Sequence, residues 1–154
     1  SLSFYKHCTM KYTCEIVIDR PLDEVIALFD HPDNLKEWQP GLIDIEHLSG
    51  DPGHPGAKAR LKYNMGNRHV EMIETILTRN LPEEFSSTYE AKNVYNIVKN
   101  TFEKVDENRT KWTAFQEFKL YGFMKLFGWF MPGSFKKQSM KYMEYFKEFV
   151  ESKG

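Results

Sequence analysis

The stretch SFKKQSMKYMEYFKEFVES, residues 134–152, decides how this chain is read, together with the apolar run FKLYGFMKLFGWFMP, residues 118–132, that leads into it. At about 100° per residue, Phe135, Tyr142, Met143, Tyr145, Phe146, Phe149 and Val150 fall within an arc of roughly 160°. Lys136, Lys137, Lys141, Glu144, Lys147, Glu148 and Glu151 fill the opposite side, and Met140 alone is out of place. A helix with so wide an aromatic face needs a large partner surface, because leaving that face in water promotes association.

The partner surface is written upstream. Residues 42–48, 57–65, 69–78, 84–90, 94–105 and 110–120 alternate apolar and polar side chains, the period of half-buried strands. Their separators are Gly50-Asp51-Pro52-Gly53, Gly66-Asn67, Asn80-Leu81-Pro82, Ala91-Lys92-Asn93 and Asp106-Glu107-Asn108. Such loops are too short for parallel crossovers, which need about a dozen residues, so the strands are antiparallel neighbours. Residues 11–19 add a first strand, with Tyr12, Cys14, Ile16 and Ile18 on one face and Val17 breaking the pattern.

Arg20-Pro21 ends that strand, and Leu22-Asp23-Glu24 opens a helix with acidic residues in its first turn, where the helix dipole favours them. Val25, Leu28 and Phe29 share one side of it. His31-Pro32-Asp33 stops the helix, Asp33 is placed to cap a second short one, and Trp38-Gln39-Pro40-Gly41 ends that. The expected fold is α+β: a seven-stranded antiparallel sheet, two short helices after its first strand, and a long C-terminal helix covering one face. A single domain is read over residues 10–154. Residues 1–9 show no period and are read as an extension ahead of Met10.

Composition narrows the function classes. The formal charge of −1, with 28% charged residues of mixed sign, gives no electrostatic case for nucleic acid. Aromatic residues make up 15% of the chain, with 12 Phe and 8 Tyr, which suits a bulky core or an apolar cavity. Cys8 and Cys14 lie six apart without a CxxC spacing, and no signal-like segment is visible, so a reduced, cytoplasmic setting is expected. The sequon Asn108-Arg109-Thr110 carries no weight without secretion. No apolar stretch approaches the roughly 20 residues of a membrane span, so stable membrane insertion is not expected.

Catalytic signatures are sparse. His7, His31, His47, His54 and His69 show no HxH or HxxxH spacing and no cysteine at zinc-ligand distance, so neither a metal nor another cofactor is expected. GxSxG and dinucleotide fingerprints are missing, and the prolines in residues 50–56 remove the amide donors a phosphate nest needs. Glu71 and Glu74 fall on opposite strand faces and make a poor acid/base pair. Tyr63, Tyr89 and Arg60 are groups a cyclase could use, with no motif behind them.

The order of strand, two short helices, six strands and long helix resembles the helix-grip fold of the START and birch-pollen-allergen superfamily, specifically its SRPBCC, polyketide cyclase/dehydrase-like branch. The resemblance covers residues 10–154. It rests on Ile16-Val17-Ile18-Asp19-Arg20-Pro21-Leu22-Asp23-Glu24-Val25, on Asp33-Asn34-Leu35-Lys36-Glu37-Trp38-Gln39-Pro40-Gly41, on Asn108-Arg109-Thr110-Lys111-Trp112-Thr113, and on the terminal helix. It implies a curved sheet wrapped around the long helix, with a cavity between them that accepts lipids, sterols or polyketide-like molecules. It implies little about chemistry, because the superfamily puts binding proteins, transfer proteins, cyclases and chaperone activators on one scaffold.

Alternation places Ala59, Leu61, Tyr63 and Met65 on one face of the third strand, and Trp112, Ala114, Gln116 and Phe118 on one face of the last. In the fourth strand Val70, Met72 and Ile76 compete with Ile73 and Leu77 for the inner face. The expected cavity lining is Trp38, Tyr63, Met65, Tyr89, Trp112, Gln116, Phe118, Phe135, Met143 and Phe146. Trp38 is equally placed to pack the helix pair, and Gln116 either orients a ligand or bonds a core neighbour. Residues 118–132, interrupted by Gly122, Gly128 and Pro132-Gly133, leave open a gate, a transient membrane contact, a dimer contact or ordinary packing. The expected function is binding, with or without transport, of a small hydrophobic ligand. Its rivals are a cyclase or dehydratase on the same scaffold and a chaperone-activator-like interaction module. The oligomeric state is not legible.

Overall fold

The structure, a computed structural model, describes residues 7–153. Its elements follow the expected order, with one further short helix ahead of the terminal one. Strand β1 (Cys8–Ile18) leads to helix α1 (Leu22–Phe29), a 3-10 turn (Pro32–Asn34) and helix α2 (Leu35–Trp38). Six strands follow: β2 (Leu42–Ser49), β3 (Lys58–Met65), β4 (Arg68–Asn80), β5 (Glu84–Ala91), β6 (Val94–Asp106) and β7 (Arg109–Leu120). Helices α3 (Met124–Phe130) and α4 (Pro132–Ser152) close the chain.

The sheet order is β1-β7-β6-β5-β4-β3-β2, with every pair antiparallel. Short turns keep β2 to β7 in sequence order, as hairpin connections must. β1 and β2 therefore occupy opposite edges, and α1 with α2 carries the chain from one edge to the other. Asp33 does not cap α2; it lies in the 3-10 turn, and the adjoining Asn34 Nδ2 donates instead to the Leu28 carbonyl (3.1 Å), tying the two helices together. β1 starts earlier than its alternation shows: Cys8 and Thr9 pair with Leu120 and Lys119, so these two residues of the expected extension belong to the sheet. Their partners lie over a hundred residues away, which a local pattern cannot reveal. The rest of the expected extension, apart from His7, lies outside the described residues.

Burial of Cys14, Ile18, Leu61, Tyr63, Val98, Trp112 and Ala114 identifies the inner face. It also settles β4. Val70, Met72, Glu74 and Ile76 point inward, Ile76 is buried, and Leu77 is exposed. A bulge between Ile76 and Thr78 in the pairing with β5 interrupts the strand's simple alternation at that point.

Helix α4 begins at Pro132, whose fixed φ suits a first helical position. Phe146 has no exposed surface, and its ring meets Trp38 at 5.0 Å, Trp112 at 5.1 Å and Phe29 at 5.8 Å. Met143, Phe149 and Val150 are buried beside it. The buried side of the helix is turned relative to the sequence arc: Tyr145 is 38% exposed, whereas Met140 packs half-buried on the core. The cause is β1, which α4 packs along. Lys147, on the Met140 side, donates to the Val17 carbonyl at 2.6 Å and lies 3.7 Å from Asp19.

Candidate ligand site

The interior is built from two apolar clusters. One surrounds the C-terminal half of α4 and contains Cys14, Ile18, Val25, Trp38, Phe102, Trp112, Ala114, Met143, Phe146, Phe149 and Val150. The other contains Leu42, Leu61 and Tyr63, with Leu35, Ile45, Val70, Met72 and Tyr89 packed on it. Strand register sets a polar band between them. Glu74 faces Tyr89 across β4–β5, Tyr89 faces Asn96 across β5–β6, and Asn96 faces Phe118 across β6–β7. The adjacent inner row runs Ile76, Ser87, Val98, Gln116 and Tyr12.

The polar groups of this band interact with one another. Tyr89 and Glu74 interact through their side chains, and the Tyr63 hydroxyl donates to Gln39 Oε1 at 2.6 Å. Asn96 Nδ2 donates to Gln116 Oε1 and to the Glu117 carbonyl, both at 3.1 Å. Tyr12 Oη donates to the Phe135 carbonyl (3.1 Å) and lies 2.7 Å from Ser139 Oγ, fixing the N-terminal half of α4 over the band. Ser87 Oγ is fully buried and lies beside Tyr89.

Burial dominates the electrostatics. Removal from water raises the Glu74 carboxyl above its ordinary value, and only Tyr89 works against that. Burial likewise pushes Tyr89 well up, with the nearby Glu74 charge adding to it, and raises Tyr63, with Tyr142 and Glu74 contributing. Tyr12 is pushed up to about 12 for the same reason. These phenols stay protonated donors, and a carboxyl beside them is held toward its neutral form. Such a set can donate to and accept from a ligand hydroxyl or carbonyl. A protonated carboxyl in an apolar wall is also the arrangement of a general acid.

The expected lining residues separate into groups. Tyr63, Tyr89, Gln116 and Phe118 lie in or beside the band, and Phe135 reaches it from α4 through its ring contact with Phe118 at 5.0 Å. Trp38, Trp112 and Phe146 instead fill one end of the interior by packing edge-to-face on one another, and Met143 is buried in the same cluster. Four bulky side chains from α2, β7 and α4 converge there and exclude one another's surface. The Trp112 indole N–H is satisfied internally by Asn100 Oδ1 at 2.9 Å. Met65 is 40% exposed, because its place before the β3–β4 turn puts it at the rim. Arg60 points outward, bound to Glu46 at 2.8 Å and facing Glu71 at 3.9 Å. Glu74 is the residue that sequence reasoning weighed only with Glu71, as a poor acid/base pair, and left out of the lining. Its parity with Val70, Met72 and Ile76 is the signal, since a carboxylate sharing an apolar strand face is buried.

Two surface grooves lie outside this band. One, of about 330 Å³, runs between α2 and the end of α4, with Glu37, Glu148 and Lys153 among its lining residues; the other, of about 170 Å³, lies against Pro32, Asp33, Lys36 and Ile45. Among the described residues no group of His, Cys, Asp and Glu is arranged to hold a metal ion.

No protein-family model matches the sequence, and no curated protein matches it. Solved structures do match. The crystal structure of Ara h 8.0201 superposes with a TM-score of 0.78 at 15% identity, over 94% of this chain and 99% of the other. The Zhui aromatase/cyclase from Streptomyces sp. R1128 gives 0.77 at 10% identity, covering 94% of each chain. Norcoclaurine synthase from Thalictrum flavum, in complex with dopamine and hydroxybenzaldehyde, gives 0.73 at 13% identity over 98% of this chain and 91% of the other. At such low identity what is shared is the backbone architecture, and the chain has the helix-grip fold of the SRPBCC, birch-pollen-allergen-like proteins.

Proposed function

We propose that the protein binds a small, largely apolar molecule carrying a hydroxyl or carbonyl group, between the inner sheet face and the N-terminal half of α4. The observation that carries this reading is the inward band of Glu74, Tyr89, Asn96 and Gln116. Glu74 and Tyr89 are cross-strand partners on the inner face of the sheet, and each keeps some accessible surface. Apolar walls with a few convergent polar groups are the usual makeup of a small-molecule site. The fold neighbours bound to dopamine and hydroxybenzaldehyde, or named as an aromatase/cyclase, support the same class of ligand. Lipids, sterols and aromatic polyketide-like compounds all fit the description.

The test is native mass spectrometry for a retained molecule, then titration with phenols, sterols, fatty acids and flat polycyclic ketones followed by thermal shift. Tyr89→Phe is expected to weaken a hydroxyl- or carbonyl-bearing ligand about fivefold, the worth of one hydrogen bond, and to leave its hydrocarbon analogue unaffected. No binding by any compound, with a solid interior in a crystal structure, would remove the reading.

One observation favours a second reading, an enzyme of cyclase or dehydratase type. The raised Glu74 carboxyl would protonate a carbonyl or leaving hydroxyl, with Tyr89 and Tyr63 orienting it. Turnover of a bound compound that is abolished in Glu74→Gln while binding persists would favour the enzyme over the binding protein.

A further inference from the structure

We propose that α3 and the start of α4 form a docking face for an anionic lipid bilayer. The sequence segregates charge here: residues 118–143 hold five lysines, Lys119, Lys125, Lys136, Lys137 and Lys141, and no Asp or Glu, in a chain whose net charge is −1. None of the five makes an ion pair among the described residues. Lys92 adds a positive charge in the β5–β6 turn, which the backbone bond from Tyr121 N to Asn93 O (2.9 Å) holds beside the segment.

The same segment exposes apolar bulk. Phe123 is 59% exposed, Leu126 49%, Trp129 61%, Phe130 78% and Met131 53%. Gly128 explains the direction they take. A Cβ there would lie 2.9 Å from Leu120 Cδ1 and 3.0 Å from Cys8 Sγ, so the glycine lets α3 press its opposite face onto the ends of β7 and β1. The aromatic side chains are thereby turned outward.

Charge chooses among the occupants of this face. A second copy would bring two lysine-rich patches together without an intervening acid. A bilayer with anionic headgroups supplies an apolar phase for Trp129 and Phe130 and negative charge for the lysines, whose long stems let their ammonium groups stay at headgroup level. No helix among the described residues is long and apolar enough to cross a membrane, so the contact lies on the surface. The proposal does not depend on the ligand reading above.

The test uses the full chain with vesicles of phosphatidylcholine alone and of phosphatidylcholine with phosphatidylserine, in flotation and tryptophan emission. Trp38 and Trp112 are 6% and 4% exposed, so a blue shift on binding reports Trp129. Expected are binding to the phosphatidylserine vesicles with a blue shift, little binding to phosphatidylcholine, and release by salt. Neutralising a lysine should weaken binding about fivefold, so Lys137→Gln/Lys141→Gln together should weaken it well over tenfold. Phe130→Ser should also weaken it, whereas Lys104→Gln/Lys111→Gln, at the opposite end of the β6–β7 pair, should not. All these residues carry accessible surface, and unchanged thermal melts establish that the variants fold. No partition onto phosphatidylserine vesicles, or equal loss with the distant lysine pair, would overturn the proposal. So would self-association that Phe130→Ser abolishes in the absence of vesicle binding, which would assign the face to a second copy.

Discussion

Glu74 on β4 and Tyr89 on β5 are cross-strand partners with both side chains on the inner face, so a carboxyl and a phenol share one enclosed, apolar-walled location. Their pairing makes the site sensitive to pH. A carboxyl that holds its proton more tightly in the folded state costs stability as pH rises from the unfolded value through the folded one. At neutral pH Glu74 therefore opposes folding. Glu74→Gln keeps the shape and removes the ionisable proton, so the variant is expected to melt higher than the parent at pH 7. The gap should close as pH falls below the ordinary value of 4.5, where the carboxyl is protonated in both states. Thermal melts across pH check this, and a variant that melts lower at pH 7 would show that the charged form is favoured.

Phe146 is the pivot of the aromatic cluster. Phe146→Ala removes a ring that touches Trp38, Trp112 and Phe29, and is expected to cost about 3–5 kcal/mol in urea melts. Lys141→Ala, on the exposed side of α4, should stay within about 0.5 kcal/mol. Equal losses would mean that α4 is not held by its aromatic side.

Asn100 accepts from the Trp112 indole and donates to the Phe85 carbonyl at 3.3 Å. Asn100→Ala leaves a buried indole N–H without its acceptor, a loss of about 1–3 kcal/mol. Denaturant unfolding measures it, and a neutral result would show that water replaces the amide.

Ala114 lies inside the packed cluster beside Trp112, across from Cys14 and Asn100. A larger side chain there overpacks the core instead of plugging a cavity. Ala114→Trp is expected to destabilise by about 1–3 kcal/mol or more, visible as a lowered melting temperature without ligand. An unchanged melt would reveal free space at that position.

Much of this molecule is legible locally. Alternation in β1, β3 and β7 and the aromatic arc of α4 give the element order and the inner faces, because burying one side of a strand or helix fixes a short-range period. The lysine-rich, acid-free character of residues 118–143 is also plain in the sequence. What the tertiary structure decided is which residues meet. Register across four strands, including the bulge after Ile76, brings Glu74, Tyr89, Asn96 and Phe118 into one row, although up to 44 positions separate them in sequence. Pairing of β1 with β7 draws Cys8 and Thr9 into the sheet, and α4, packed along β1, holds Met140 against the core and leaves Tyr145 exposed. The close seat of Gly128 on Leu120 sends the apolar side chains of α3 outward, a direction that the sequence of residues 118–132 left open. Each is a contact between distant segments, fixed by sheet register and packing volume, and a local period carries no record of either.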